Sequence, residues 1–198
     1  AHEYYLRNKT MYKEHGFPET ERRHAARISM WDQQVGRLIH HLDVTGELDN
    51  TLIVVTSDNG GHKENGHDYR FFASNGDLKG FKRDLYEGGI RVPYFAVWAD
   101  KIKPNSTSDH ISTFQDFMPT LAEVAQVDAP STTDGISLLP TLLGNKQRQH
   151  DYLYWELHLN HKPNQGNDKG FRQAIRQGKW KAVRYGALSP TELYDLSR

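Results

Sequence analysis

Asp58 and Asn59 follow the apolar run Leu52-Ile53-Val54-Val55 and precede Gly60-Gly61-His62. Both side chains offer hard oxygen donors, the type that holds Ca²⁺ or Mg²⁺. Open α/β sheets gather their ligands at the carboxyl ends of strands, which is where these two residues fall. Asp-Asn-Gly also suits an Asx turn, and the tripeptide alone leaves both readings open. Lys82 comes next, in Leu78-Lys79-Gly80-Phe81-Lys82-Arg83-Asp84. A compact ammonium beside a metal suits a tetrahedral oxyanion, whereas a solvated basic loop needs no ligand. In Glu87-Gly88-Gly89-Ile90-Arg91 the paired glycines permit unusual torsions or close backbone approach. A Glu87–Arg91 pair would hold that loop in place. His62, His67 and Asp68 fall within Gly61-His62-Lys63-Glu64-Asn65-Gly66-His67-Asp68 and together resemble the rim of a pocket for a polar ligand. A histidine near a metal can act as general acid or substrate contact, while each taken singly reads as a surface residue.

The elements that must position these residues are legible in outline. Gly16-Phe17-Pro18-Glu19 resembles a helix start, with proline in the first turn and acids after it. Ile28, Trp31, Val35, Leu38, Ile39 and Leu42 recur at three- and four-residue steps, as one apolar face of a helix. His40-His41 belong to the faces of that helix, and Gly46 suits a left-handed cap. A short turn then leads into the Leu52–Val55 strand, giving an α/β unit. The stretch from Gly60 to Arg91 is too long for an idle loop, and its aromatic residues argue against disorder. Val92–Trp98 reads as a second buried strand, with Pro93 near its start. Ser112 and Gln115 suggest a capping box ahead of a helix through Phe114, Phe117, Leu121 and Val124. Ile136–Leu143 is a short apolar segment closed by Gly144. The polar run 145–149 marks a boundary. Beyond it Tyr152–Trp155, Phe171–Arg176 and Trp180–Tyr185 read as strands, the last two joined at Gln177-Gly178-Lys179 as an antiparallel hairpin, with Tyr194 near a terminal edge.

Composition bounds the chemistry. The 198 residues carry 25 basic and 25 acidic side chains, so no global field points to nucleic acid or a membrane surface. There is no cysteine, which removes disulfides, thiolate metal sites and a cysteine nucleophile from this chain, while histidine is frequent. No run approaches the ~20 apolar residues of a membrane span, and the opening Ala1-His2-Glu3-Tyr4-Tyr5 is no signal peptide. Asn8-Lys9-Thr10 and Asn105-Ser106-Thr107 match glycosylation sequons, which recur by chance and carry no weight.

Thr51 through Gly60, Leu78-Lys79-Gly80-Phe81-Lys82, and Tyr86 through Pro93 together resemble the type I, formylglycine-dependent sulfatases, the arylsulfatase family. Phe117-Met118-Pro119-Thr120-Leu121, Asp134 through Pro140, Arg176 through Lys181, and Glu192 through Leu196 extend the resemblance over nearly the whole chain. It implies an alkaline-phosphatase-like α/β fold, here partial: a mixed sheet flanked by helices, with a small C-terminal antiparallel-sheet subdomain. Residues 1–147 would be the later part of the catalytic domain and residues 148–198 the subdomain. The implied activity is hydrolysis of sulfate esters, on sulfated carbohydrates or aryl sulfates. Asp58 and Asn59 would ligate calcium. Lys82 would contact the sulfate and the leaving oxygen as a catalytic and substrate-binding group, and His67 and Asp68 would bind substrate.

The chain departs widely from the family pattern. The nucleophile motif, Cys or Ser followed by x-Pro-x-Arg, is absent, as are the early Asp pair and the histidine and lysine that flank the nucleophile. The resemblance therefore implies a carboxy-terminal portion, with formylglycine in an amino-terminal half that acts as its partner. Alone, the fragment would expose sheet edges and an apolar face, bind calcium weakly and turn nothing over. Two other readings stand beside this one: a phosphatase or phosphodiesterase of the same superfamily, and a non-catalytic glycan-binding remnant. Lack of cysteine and the family's habitats favour a periplasmic or secreted location.

Overall fold

The computed structural model describes Thr10, residues 12–159 and residues 170–198. The segment before Thr10, with Asn8 of the first sequon, lies outside the described residues. The chain falls into two compact units, Ala1–Ala99 and Asp100–Arg198. The segment 148–198 carries the whole of the four-stranded sheet. No helix among the described residues is long and apolar enough to cross a membrane.

The first unit is built on helix α1 (Glu19–Val44) and a two-stranded antiparallel sheet, β1 (Ile53–Thr56) with β2 (Tyr94–Val97). Pro18 is the N-cap rather than a first-turn residue, its carbonyl taking the Arg22 N–H at 3.0 Å. Glu19 and Glu21 in the first turn complement the helix dipole. At the other end Gly46 has φ 74°, Gly46 N–H donates to Asp43 and Glu47 N–H to Leu42. This is the paired bonding of a Schellman cap, which glycine permits at its left-handed position.

Much apolar surface lies open in this unit, including the second strand, expected to be buried. The apolar stripe of α1 is largely in the open, with Leu38 56 % exposed, and Ile28, Trp31 and Ile39 also exposed. The strand expected over Val92–Trp98 forms as β2 but is not buried: Phe95 is 63 % and Val97 59 % exposed. Apolar periodicity reports a face that some surface covers, and β2 pairs only with β1 among the described residues. The packed interior instead gathers Ala26, Leu85, Glu21, His67, Asn75 and Glu87.

The second unit contains α3 (Phe117–Val124), α4 (Leu139–Leu142) and a four-stranded antiparallel sheet. Its strands are β3 (Leu153–His158), β4 (Phe171–Gln177), β5 (Trp180–Tyr185) and β6 (Glu192–Asp195), in chain order. The expected hairpin is present, turning at Gly178 with φ 53°. One face gathers Leu153, Trp155, Ala174, Lys181 and Val183, placed together by the pairings Leu153–Arg176, Trp155–Ala174, Ala174–Val183 and Arg176–Lys181. Ala174, Val183 and Lys181 are buried there, the Lys181 ammonium lying 5.3 Å from the Trp155 ring centre. The capping box forms one residue later than expected, between Thr113 and Asp116. The reason is Asp116, which is fully buried and serves several donors at once. Its carboxylate takes the Thr113 and Ile136 N–H groups, each at 2.8 Å, and the His150 Nε2 at 2.8 Å. Gln115 has no such second partner to fix it in that role.

Candidate active site

The end of β1 is fixed by backbone contacts that only glycine allows. Thr56 Oγ1 donates to the Pro93 carbonyl at 2.7 Å, and the Gly60 N–H donates to the Gly89 carbonyl at 3.0 Å. A Cβ on Gly60 would stand 1.8 Å from the Gly88 oxygen, and one on Gly89 would stand 2.1 Å from the Asp84 oxygen. The paired glycines in the one-turn helix α2 (Glu87–Ile90) therefore serve close backbone approach. Within that turn the Arg91 N–H donates to the Glu87 carbonyl at 2.7 Å, while the Glu87 side chain is buried.

The same knitting brings Lys82 to the strand end. Its backbone N–H donates to the Gly61 carbonyl at 2.8 Å. Gly61 N–H donates to Asn75 Oδ1 at 2.7 Å, and Asn75 Nδ2 donates to the Gly80 carbonyl at 2.9 Å. A buried asparagine thus ties the two arms of the loop together. The Lys82 ammonium lies 3.1 Å from Glu64 Oε2, while Arg83 holds the other carboxylate oxygen, Oε1. Arg83 first and Lys82 second hold the Glu64 carboxyl below its usual range. Glu64 thereby orients Lys82 without burying it.

Asp58 is exposed and Asn59 half-buried. Asn59 Nδ2 donates to the Gly60 carbonyl at 2.8 Å, and Ser57 Oγ donates to the Asn59 carbonyl at 2.9 Å. The amide nitrogen is engaged with the backbone, so the metal-ligating atom this residue can offer is its side-chain oxygen, as its neighbour Asp58 offers a carboxylate. This donor set suits calcium, although two oxygens fall short of the about six to eight that the ion takes.

The histidine loop is arranged differently from a simple rim. His67 is only 4 % exposed, and its Nδ1 lies 2.6 Å from Glu21 Oε2 on α1. Glu21 Oε1 also takes the Asp68 N–H at 3.1 Å. Asp68 itself points to solvent and is gripped by Arg70, whose Nε donates to both carboxylate oxygens at 3.0 Å. Those bonds hold the Asp68 carboxyl down at about 2. His24 stacks on His67 with ring centres 3.7 Å apart, and His62 meets His67 edge-on at 4.9 Å. Sequence reading passed over Glu21 and His24, which fall three residues apart on one helix. That spacing puts both on one face, and it was the available signal.

Comparison with known proteins now bears on the corner. The sulfatase family model matches residues 2–127, and the model for the C-terminal region of N-sulphoglucosamine sulphohydrolase matches residues 78–198. The N-acetylglucosamine-6-O-sulfatase of Bacteroides thetaiotaomicron is 32 % identical over 182 residues, covering 88 % of this chain and 30 % of that protein. The crystal structure of Ps i-CgsB in complex with k-i-k-neocarrahexaose matches with TM-score 0.78 at 27 % identity, over 96 % of this chain and 40 % of that one. BT4656 in complex with its substrate D-glucosamine-2-N,6-O-disulfate matches with TM-score 0.71 at 29 % identity, over 90 % and 34 % of the two chains. The chain spans between a fifth and a third of the length of the first curated relatives it matches. Its structural neighbours share the alkaline-phosphatase-like fold, and with the strand-end corner and both family matches in hand, the chain belongs to the sulfatase family.

Proposed function

We propose that this chain is the carboxy-terminal part of a calcium-dependent sulfatase that hydrolyses sulfate esters on sulfated carbohydrates. The observation that carries the reading is the strand-end corner, where Gly60 is bonded to Gly89 and Lys82 to Gly61. These bonds join the segment that carries Asp58 and Asn59 to the segment that carries Lys82. Asp58 and Asn59 would hold calcium, which supplies positive charge opposite the oxygens of the sulfate group. Lys82, steadied by Glu64, would place its ammonium against the sulfate and the departing alkoxide, where charge grows during cleavage. The loop around His67 and Asp68 would meet the sugar, His67 anchoring it from within and Asp68 with Arg70 facing outward.

The remaining calcium ligands and the formylglycine nucleophile would come from an amino-terminal half, and the mature protein would work in the periplasm or outside the cell. By itself the 198-residue chain would bind calcium weakly and turn over no sulfate ester. The test is kinetic, on the complete protein. Lys82→Ala is expected to lower kcat/KM for an aryl sulfate at least about a hundredfold. Asp58→Ala is expected to abolish calcium-dependent activity. Wild-type rates from both variants would overturn the assignment.

A further inference from the structure

Deep in the first unit, His24, His62 and His67 each bring one ring nitrogen within 4.8 Å of the other two. Among the described residues this trio is the group so placed. Glu21 accepts from His67 Nδ1 at 2.6 Å, because an ionised carboxylate can only accept. In the neutral imidazole, the form that binds a metal, this bond puts the proton on Nδ1 and leaves a lone pair on His67 Nε2. His67 Nε2 is fully buried and has no hydrogen-bond partner among the described residues. A buried acceptor left without a donor costs about 1–3 kcal/mol, so its persistence calls for a ligand. The rings of His24 and His62 flank it, with centres 3.7 and 4.9 Å from that of His67.

We propose that His24, His62 and His67 form a binding site for a divalent transition-metal ion, with Zn²⁺ the best match, backed by Glu21 as the carboxylate that orients His67. Imidazole donors select such ions over Ca²⁺ and Mg²⁺, which prefer oxygen. Three histidines with a fourth position open to water is an established zinc geometry. A carboxylate behind a ligating histidine sets its tautomer and raises its basicity. Neutral imidazole is the ligand form, and burial, with His67 and His62 nearby, holds His24 down at about 4. Burial lowers His62 as well. Tetrahedral zinc with bonds of about 2.0–2.1 Å sets its ligand nitrogens about 3.3 Å apart, so nitrogens now within 4.8 Å of one another close in by up to about 1.5 Å through side-chain rotation. His62 is the ligand that gives most: its Nδ1 takes the Glu64 N–H at 3.0 Å, and coordination there exchanges that bond for the metal. The ion would clip the 62–67 loop to α1. It uses none of the residues assigned to calcium, and it holds whether or not the sulfatase reading does.

The test titrates Zn²⁺ into the metal-free 198-residue chain, with a chromophoric chelator as competitor and Co²⁺ absorption as the geometric readout. One ion per chain is expected, with a tetrahedral Co²⁺ spectrum and a higher melting temperature. Glu21→Gln should weaken binding about 10–100-fold, and His24→Gln more. The surface pair His40→Gln/His41→Gln should leave it unchanged. Because a core variant can unfold, the wild-type chain with labelled histidine rings gives a mutation-free check. Zn²⁺ should perturb His24, His62 and His67 and leave the other ring signals in place. No saturable binding, binding indifferent to Glu21→Gln in a folded variant, or loss with the His40/His41 pair would overturn the site.

Discussion

The four-stranded sheet and the strand-end corner show two ways of reaching a fixed geometry. In the sheet, side chains do the work: Leu153, Ala174, Lys181 and Val183 are buried together on one face, and burial alternates along β3 and the first half of β5. At the corner, backbone does it. Gly60, Gly88 and Gly89 admit carbonyl oxygens where a side chain would stand, and Asn75 bridges the two arms. Side-chain packing tolerates conservative exchange, since volume can be redistributed among neighbours. Backbone-on-backbone contact has no such slack. Two segments that must hold a fixed separation, as those carrying Asn59 and Lys82 do, are better served by the second device.

The sharpest way to break that contrast is at Gly60. Gly60→Ala would set a Cβ 1.8 Å from the Gly88 oxygen, and the chain must move to relieve it. We expect a loss of about 3 kcal/mol in the first unit, read by denaturant melts, with the β1 end displaced. A variant as stable as wild type would mean that the corner yields easily. In the sheet, Val183→Ala removes a buried side chain and should cost about 2 kcal/mol. The matching truncation on the exposed stripe of α1, Leu38→Ala, should stay within about 0.5 kcal/mol. Equal costs for the two truncations would show that the α1 stripe is covered in solution.

The smallest effect concerns His24 in the metal-free chain. It titrates at about 4 in the native state, from burial first and then from His67 and His62, with Glu21 opposing and Arg27 assisting. Its ordinary value near 6.5 applies once the chain unfolds. Between those two values the unfolded chain binds a proton that the native chain does not, so stability falls as pH drops from 6.5 towards 4. His24→Gln should flatten that acid limb relative to wild type. An unchanged slope would contradict the shifted histidine.

How much of this was legible depended on which device was in use. The hairpin from Phe171 to Tyr185 was readable because period-two alternation and Gly178 encode it locally. Helix α1 was readable from its periodicity and Gly46, but not the exposure of Ile28, Trp31 and Leu38, since pattern marks a face without naming its cover. Asp58, Asn59 and Lys82 were found as residue types. The tie between their two segments was not, because Gly61–Lys82 and Gly60–Gly89 are backbone bonds that leave little trace in composition. Asp116 was missed in favour of Gln115, since its buried partners Ile136 and His150 lie far along the chain. Glu21 and His24 were missed because attention to the glycine-rich loop passed over the helix packed behind it.

The most direct measurement compares hydrolysis of an aryl sulfate and an aryl phosphate, with calcium present, by two samples. One is the 198-residue chain alone, and the other is the same chain joined to an amino-terminal half carrying the Cys/Ser-x-Pro-x-Arg motif. Sulfate hydrolysis by the joined protein, lost on chelation and exceeding phosphate hydrolysis, with no turnover by the chain alone, is the expected result. Turnover by the chain alone, or preference for the phosphate ester in the joined protein, would contradict the assignment of Asp58, Asn59 and Lys82 to a shared calcium–sulfate site.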